Sequence, residues 1–227
     1  MKILILDDET AISGFVDINL KRAGHETLVA ASGEEALELI EQNRDVDIAL
    51  LDVMLPGIDG FEVCRRIRKK RTGIGIIMLS AKSQEEDKVT GLMIGADDYV
   101  PKPFSITELL ARVESLGRRM SIKNGAEGSG GASDEFYLNA GTRQFFRGGT
   151  ETELTQTEFN VLKFFFENKG KALSRQDILY GVWGKNYFGD EKIVDVNIRR
   201  LRLKIEDDPA NPAHIVAVRG YGYMWSD

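Results

Sequence analysis

The chain has 227 residues and a net charge of −6, a length that suits two domains, each able to bury its own core. No apolar run reaches the roughly 18 residues of a membrane span, and no signal-peptide pattern opens the chain, so we expect a cytoplasmic protein. The lone Cys64 excludes an internal disulfide and is expected in the core. The distant His25 and His214 leave little basis for a zinc site or a Ser-His-Asp triad.

Residues 1–120 alternate short apolar runs with segments of helical period. The runs are KILIL, TLVAA, DIALLDV, IGIIMLSA and DYVPKPF. Two of the helical segments begin at capping boxes, at Ser32 and at Ser105. Five strand–helix units of this length predict an α/β fold, a doubly wound five-stranded parallel sheet with helices on both faces.

The character of the chain changes after residue 120. Residues 121–133 read SIKNGAEGSGGAS, which predicts a flexible linker. Residues 134–227 contain short strand-like pieces, three helical segments and a closing hairpin around Gly220, typical of a small α+β domain. The net charge is −5 over residues 1–133 and −1 over residues 134–227, so the acidity lies mainly in the first part.

Polar residues stand at the carboxyl ends of the predicted strands. They are Asp7 and Asp8 after the first strand, Asp52 after the third, Ser80 after the fourth and Lys102 after the fifth. In an open parallel sheet these ends share one ligand-binding edge. Clustered carboxylates need a cation, and all-oxygen ligands suit Mg²⁺. The set therefore predicts a site where one carboxylate takes up a phosphoryl group, Mg²⁺ and Lys102 neutralise its oxygens, and Ser80 hydrogen-bonds one of them.

Two alternatives remain at this point. An Asp-Asp pair after a strand is commonly only a turn or a helix cap, and it is the joint occurrence of polar residues at several strand ends that favours a site. An aspartate-nucleophile phosphohydrolase using Asp7 or Asp8 would also require such a cluster.

Residues 1–120 resemble a CheY-like receiver domain of a bacterial two-component response regulator. The matching motifs are LDDE, LDVMLPGIDGFEVCRRIR, MLSAK, GADDYVPKPF and ELLARV. The resemblance implies that Asp52 is the phosphoacceptor. It implies that Asp8 binds Mg²⁺ directly and Asp7 through water, while the backbone carbonyl of Met54 completes the protein's ligands.

The same resemblance assigns further roles at this edge. Lys102 would pair with the phosphoryl group, and the Lys102–Pro103 peptide would be cis. Ser80 and Tyr99 would be a switch pair that reorients on phosphorylation. The receiver would take part in its own Mg²⁺-dependent phosphorylation and dephosphorylation without being an enzyme in the ordinary sense.

A basic helix is predicted over about residues 190–206. A helical projection places an apolar stripe of Val194, Ile198, Leu201 and Ile205 toward a core. The opposite face and its flanks carry the remaining residues, Lys192, Val196, Asn197, Arg199, Arg200, Arg202 and Leu203. Such a face fits a DNA major groove. A merely solvated charged face is the alternative, against which stand the scarcity of acids and the hairpin that follows.

Residues 134–227 resemble the winged helix-turn-helix output domain of the OmpR/PhoB class. The matching motifs are LTQTEFNVL, LSRQDIL, VWG, VDVNIRRLRLKIE and VRGYGYMW. The resemblance assigns residues 194–204 to the recognition helix and residue 219 to the wing. It places Trp183 in or near a loop that meets RNA polymerase, although a core anchor is equally compatible with the sequence. The expected DNA contacts are Lys192, Val196, Asn197, Arg199, Arg200, Arg202, Lys204, Arg219 and Tyr221.

Together the two resemblances predict a transcriptional regulator that a sensor histidine kinase phosphorylates on Asp52. Phosphorylation would favour a homodimer through the fourth helix, fifth strand and fifth helix, and binding to promoter DNA at direct repeats. Cross-subunit pairs of Lys88 with Glu108 and of Asp97 with Arg112 are expected, although these residues could be ordinary surface charges. The expected dimer residues are Lys88, Asp97, Asp98, Glu108, Arg112 and Arg118. DNA binding that is independent of phosphorylation is the remaining alternative.

Overall fold

The computed structural model describes residues 1–80, 91–121, 135–185, 187 and 189–226. The chain divides into two compact units, Met1–Gly117 and Arg118–Asp227, and each is described by itself. The predicted linker lies outside the described residues except for Ser121, and so does Lys88.

The first unit contains one parallel sheet of five strands, as predicted. The strands are β1 Lys2–Leu6, β2 Glu26–Ala30, β3 Ile48–Asp52, β4 Gly75–Ser80 and β5 Asp98–Pro101. Their order is β2-β1-β3-β4-β5. Every residue of β3 and β4 is buried, whereas β2 at the sheet edge is only partly covered. These two strands in the interior of the sheet are therefore covered on both faces.

Helices follow the strands of this sheet. They are α1 Thr10–Arg22, α2 Gly33–Gln42, α3 Gly60–Lys70, the helical residues 91–94 labelled α4, and α5 Ile106–Ser121. The hydroxyl of Ser32 accepts a hydrogen bond from Glu35 N at 3.2 Å, and that of Ser105 accepts one from Glu108 N at 3.1 Å. Both predicted N-caps are therefore confirmed.

The second unit is a winged-helix domain. Its strands are β6 Phe136–Asn139, β7 Gln144–Arg147, β8 Thr150–Glu151, β9 Leu173–Ser174, β10 Ile215–Val218 and β11 Gly222–Trp225. Its helices are α6 Gln156–Glu167, α7 Arg175–Trp183 and α8 Lys192–Ile205. One antiparallel sheet has the order β6-β7-β8, and the other has the order β10-β11-β9.

The core and the closing hairpin of this unit agree with the sequence pattern. The apolar stripe of α8 is buried, with Val194, Leu201 and Ile205 at 0% exposure. The hairpin pairs Val218 with Gly222, and its turn uses Gly220 at φ 73°, a backbone conformation that glycine adopts without strain.

Candidate functional site

Three carboxylates meet at the carboxyl ends of β1 and β3. Carboxylate oxygens of Asp7, Asp8 and Asp52 lie within 4.8 Å of one another. Asp7 and Asp52 are buried, at 2% and 3% exposure, whereas Asp8 is exposed. The strand ends thus bring together the acids that the sequence singles out, and one of the three faces solvent.

Lys102 provides the positive charge of this cluster. Its Nζ lies 2.7 Å from Asp7 Oδ2 and 2.7 Å from Asp52 Oδ2. The backbone N–H of Lys102 donates to the carbonyl of Ser80 at 2.7 Å, which fixes the lysine beside β4. The Lys102–Pro103 peptide is cis, as the receiver resemblance predicts.

The two buried carboxylates are oriented by backbone donors as well. Asp52 Oδ1 accepts from Met54 N at 3.0 Å, and Asp7 Oδ1 accepts from Glu9 N at 3.0 Å. Gly60 lies close behind this loop, because a Cβ there would stand 2.0 Å from the carbonyl oxygen of Asp52. Only glycine permits this close approach of α3 to the backbone of Asp52.

Burial and the neighbouring charges together shift the pKa values of Asp7 and Lys102. Burial raises the pKa of the Asp7 carboxyl, and the charge of Asp52 adds to this effect, although Lys102 opposes both. Burial alone would lower the pKa of Lys102, but its hydrogen bonds to Asp52 and Asp7 outweigh burial and raise that pKa. At Asp7, desolvation by burial therefore outweighs the stabilisation of the charged form by Lys102.

These residues fit a magnesium ion. The donors are all carboxylate oxygens, which Mg²⁺ prefers, and the exposed Asp8 leaves the cluster open to water, which the ion retains as ligands. Burial is the main cause of the raised pKa of Asp7, and a cation bound here would favour the charged form of that carboxyl. The expected contribution of the Met54 carbonyl and the direct or water-mediated roles of Asp8 and Asp7 stay predictions.

The expected switch residues lie on neighbouring strands. Ser80 ends β4 at 0% exposure, and Tyr99 in β5 is 6% exposed. The register pairs Met78 with Tyr99 and Ser80 with Pro101, so Ser80 and Tyr99 project to the same face of the sheet. Their positions are compatible with a coupled pair, and the switching itself stays a prediction.

In the second unit, several of the expected DNA contacts are exposed. Lys192 and Arg199 of α8 are exposed, and so are Arg219 and Tyr221 at the turn of the β10–β11 hairpin. Leu203 lies one turn after Arg199 and is 59% exposed. These residues offer cations and apolar surface to a partner.

Three other expected contacts are buried, and their predicted outward orientation is wrong. Val196 is 6% exposed, Asn197 is 0% exposed and Arg200 is 5% exposed. Asn197 Nδ2 donates to the Ile193 carbonyl of its own helix at 2.8 Å. Arg200 turns inward because Glu158 of α6 binds it, with Arg200 Nη2 2.7 Å from Glu158 Oε1. The side chains of Arg200, Asn197 and Val196 are therefore not exposed to a DNA partner in this conformation.

Arg202 and Lys204 are only partly exposed and already bind protein groups. Arg202 Nη2 and Nε donate to the Ile215 carbonyl at 2.6 and 2.9 Å. Lys204 Nζ lies 2.7 Å from Glu158 Oε2 and 2.8 Å from the Glu153 carbonyl. Both cations fasten α8 to the rest of the unit in this conformation.

Glu158 binds two cations of α8, a role that the sequence pattern did not reveal. It is 0% exposed and closes a capping box with Thr155, whose backbone N–H donates to Glu158 Oε2 at 2.8 Å. Burial would raise the pKa of Glu158, but the charges of Arg200 and Lys204 outweigh burial and lower it. The capping-box pattern marked Glu158 as a helix start, and nothing in that pattern signals two cations from α8.

The expected dimer charges are largely engaged within one chain. Asp98 accepts from Arg112 at 3.0 and 3.2 Å, and Arg112 also lies 2.7 Å from Glu108. Asp97 is 0% exposed and lies 2.6 Å from Arg68 Nη2, a partner that the sequence did not reveal. In this conformation Asp97 is therefore engaged within its own chain, and its expected cross-subunit pair with Arg112 stays a prediction.

Trp183 ends α7 and is 1% exposed, so it lies in the core of the second unit. This position corresponds to the core-anchor alternative. In the part of the chain that the structure describes, we find no helix with the length and apolar character that a membrane span requires.

Comparisons with known proteins agree with the two units. Residues 3–114 match the model of the response regulator receiver domain, and residues 149–225 match that of the C-terminal domain of transcriptional regulatory proteins.

Solved structures match over the whole chain. DrrB, an OmpR/PhoB homologue from Thermotoga maritima, is 32% identical, with 100% of this chain and 99% of that chain covered and a TM-score of 0.52. A mutant of RitR is 25% identical over 100% and 99% of the two chains, with a TM-score of 0.81. A receiver domain of a Francisella response regulator is 40% identical, over 53% and 98%, with a TM-score of 0.51. With a receiver sheet, a winged-helix unit and these relatives, the chain belongs to the OmpR/PhoB family of response regulators.

Proposed function

We propose that Asp52 is the residue through which this phosphorylation-dependent transcriptional regulator receives the phosphoryl group of its histidine kinase. The observation that carries the proposal is the contact of Lys102 Nζ with Asp52 Oδ2, at 2.7 Å, beside two further carboxylates. The receiver resemblance selects Asp52 rather than Asp7, whose oxygens are held by Lys102 and by Glu9 N. Both oxygens of Asp52 are likewise oriented, by Lys102 and by Met54 N. Such fixed orientation favours the role of nucleophile.

In the proposed step, a carboxylate oxygen of Asp52 attacks the phosphorus of a phosphohistidine. The P–N bond to the histidine breaks and an acyl phosphate forms on Asp52. Lys102 then transfers its hydrogen bond from the carboxylate to a phosphoryl oxygen, and the Ser80 hydroxyl donates to another. Asp7 and Asp8 would hold Mg²⁺, which supplies positive charge to the phosphoryl oxygens when bound.

The proposed nucleophile is tested by locating the label after incubation with acetyl phosphate and Mg²⁺. We expect mass spectrometry to place the phosphoryl group on Asp52, and Asp52→Ala to remove it. Asp8→Ala should reduce the labelling because Mg²⁺ is lost, while any residual label stays on Asp52. Label on Asp7 or Asp8 would instead support the phosphohydrolase alternative.

For the second unit, we propose that α8 enters the major groove and that the β10–β11 hairpin reaches an adjacent minor groove. The exposed cations of the two elements, Lys192, Arg199 and Arg219, support this proposal together with the exposed ring of Tyr221. Arg202 and Lys204 would contribute only if they exchange their present protein partners for phosphate. Promoter DNA with direct repeats is the proposed target.

Arg199 and Arg200 are adjacent in sequence. Their variants distinguish a role in DNA binding from a role in the stability of the unit. We expect Arg199→Ala to weaken DNA binding by about 1–3 kcal/mol while the thermal stability stays that of the wild type. Arg200→Ala should instead lower the stability, because it leaves Glu158 without one of its two cations. Titration with DNA sequences selected from a random pool measures the affinity, and calorimetry measures the thermal stability. An Arg200→Ala variant of wild-type stability with weakened binding would contradict the assignment.

The other proposed partners, a second copy of the chain and RNA polymerase, are inferred from the family. We propose that a second copy binds through α4, β5 and α5 after phosphorylation, where the expected charges include Glu108, Arg118 and the undescribed Lys88. Because Arg112 is bound to Asp98 and Glu108 of its own chain, such a dimer requires these bonds to rearrange. Contact with RNA polymerase and a cytoplasmic location stay proposals, and the buried Trp183 is not part of an exposed polymerase contact.

A further inference from the structure

We propose that the bond between Tyr223 and Asp195 positions the wing hairpin relative to the recognition helix, so that Arg199 and Arg219 engage DNA together. This inference rests on the proposed function, in which α8 and the hairpin are the two DNA-contacting elements. It concerns a positioning role for two residues that are not themselves DNA contacts.

Tyr223 and Asp195 lie at a junction of three elements. The Tyr223 hydroxyl of β11 donates to Asp195 Oδ1 of α8 at 2.7 Å. Arg175, the first residue of α7, donates from Nε to the same oxygen at 2.8 Å. The carboxylate of Asp195 therefore joins the start of α7, the recognition helix and the second strand of the wing.

The ring of Tyr223 also contacts two arginine side chains. The guanidinium carbons of Arg175 and Arg202 lie 5.3 and 5.5 Å from the ring centroid, which is the distance of a cation–π contact. Tyr223 is 8% exposed. Its hydroxyl is engaged by Asp195, so the side chain acts within the protein and is not offered to DNA.

The wing hairpin is fastened to α8 through both of its strands. Tyr223 pairs with Ala217 in the ladder, one position from the Val218–Gly222 pair that closes the turn. At the far end of β10, the Ile215 carbonyl accepts from Arg202. A further bond joins Ile215 N to Glu206, the residue after α8, at 2.7 Å. The bond of Tyr223 to Asp195 is nearer to Arg219 than the attachments at Ile215, and its loss should let the wing tip move relative to α8.

The position of Asp195 supports the same conclusion. It is an acid in the first turn of a helix that is proposed to approach DNA phosphates, where a carboxylate repels the ligand. Its engagement by Tyr223 and Arg175 gives a reason for an acid at this place. The contact also contributes to the charge balance, because Asp195 forms an ion pair with Arg175.

The experiment is a double-mutant cycle on the full chain between Tyr223→Phe and Arg219→Ala. The probe is a fluorescent duplex that carries the sequence selected by the wild-type chain from random DNA, and a scrambled duplex gives the nonspecific background. In the wild-type background, we expect Arg219→Ala to weaken binding about tenfold. In the Tyr223→Phe background, we expect the same change to cost at most about threefold, because the wing is no longer aligned.

Tyr137→Phe is the matched control, because Tyr137 is an exposed tyrosine on β6 and its change should leave the tenfold effect intact. Asp195→Ala is the second variant, because it removes the acceptor of the bond, and it should reduce the Arg219 effect as Tyr223→Phe does. A merely structural role would lower the unfolding temperature and leave the full effect of Arg219→Ala, which would overturn the inference. No effect of Arg219→Ala in the wild type would overturn the proposed wing contact and this inference with it.

Discussion

Each of the two units contains a charged side chain, half-buried in the first and buried in the second, that forms ion pairs with two charges of opposite sign. In the receiver, the ammonium of Lys102 lies between the carboxylates of Asp7 and Asp52. In the winged-helix unit, the carboxylate of Glu158 lies between Arg200 and Lys204. All four ion pairs have the same length, 2.7 Å. The arrangements are similar in geometry and opposite in sign.

The two clusters differ in their exposure to solvent and in the balance of their charges. The receiver cluster includes a third carboxylate, the exposed Asp8, and the pKa of Asp7 is raised by burial and by Asp52. The Glu158 cluster has its acid fully buried, and the pKa of that acid is lowered by the two cations although burial opposes them. An open cluster with uncompensated charge is suited to bind an ion, whereas a closed and compensated cluster stabilises a fold.

The largest effect that tests this contrast is the loss of Glu158. We expect Glu158→Ala to destabilise the winged-helix unit by about 3–5 kcal/mol, because two cations then lack their carboxylate in a buried site. Both tryptophans of the chain, Trp183 and Trp225, lie in this unit, so tryptophan fluorescence during urea unfolding reports on it.

The matched control for Glu158 is Glu167→Ala at the other end of α6. Glu167 is 46% exposed and lies 3.7 Å from Lys163, so its removal should cost at most about 1 kcal/mol. Equal losses in the two variants would contradict the view that the buried carboxylate holds α8 in place.

An intermediate effect is expected at Lys102. Without Mg²⁺, Lys102→Met should destabilise the receiver by about 1–3 kcal/mol, since two buried carboxylates lose their cation. Mg²⁺ should restore more stability to this variant than to the wild type, because the ion replaces the lost charge and binds only the folded site. Calorimetry with and without Mg²⁺ measures the difference. Lys21→Met, at an exposed pair with Asp17, should show no such rescue, and an equal response to Mg²⁺ in all three proteins would contradict the proposed site.

The smallest effect is the pH dependence of the two acids, which should have opposite signs. The folded pKa of Glu158 is lowered, so its stabilisation is present above the usual value of 4.5 and is lost as the pH falls through the folded pKa. The folded pKa of Asp7 is raised above 3.8, so its protonation favours folding at low pH and this advantage is lost as the pH rises through the folded pKa.

Two isosteric variants separate these contributions. Without Mg²⁺ near neutral pH, Glu158→Gln should be less stable than the wild type and Asp7→Asn more stable. Both differences should shrink on acidification. Urea unfolding between pH 3.5 and about 7 measures them, and differences of the same sign would contradict the contrast.

The fold of both units could be predicted from local patterns. The apolar strands and the two serine caps of the receiver follow from hydrophobic period and capping chemistry, as does the stripe on α8 that includes Val194. The parallel sheet then brings the strand ends together, so Asp7, Asp8 and Asp52 could be placed at one edge before their distances were known.

The side-chain positions that the sequence did not predict depend on interactions between residues that are distant in sequence. A helical projection of α8 counts every arginine as polar and outward, so it could not show that Glu158, 42 residues before Arg200, draws that side chain inward. In the same way, the charge pattern around Asp97 gave no sign of Arg68, which occupies its carboxylate within one chain. Pairing across sequence distance is decided by tertiary packing.

The measurement that tests the central claim most directly is the DNA affinity of the full chain with and without acetyl phosphate in the presence of Mg²⁺. The selected duplex serves as the probe, and Asp52→Asn is the matched variant that keeps the size of the side chain. We predict that acetyl phosphate tightens binding by the wild type and leaves Asp52→Asn unchanged. Equal affinities of both proteins under both conditions would contradict phosphorylation control through Asp52.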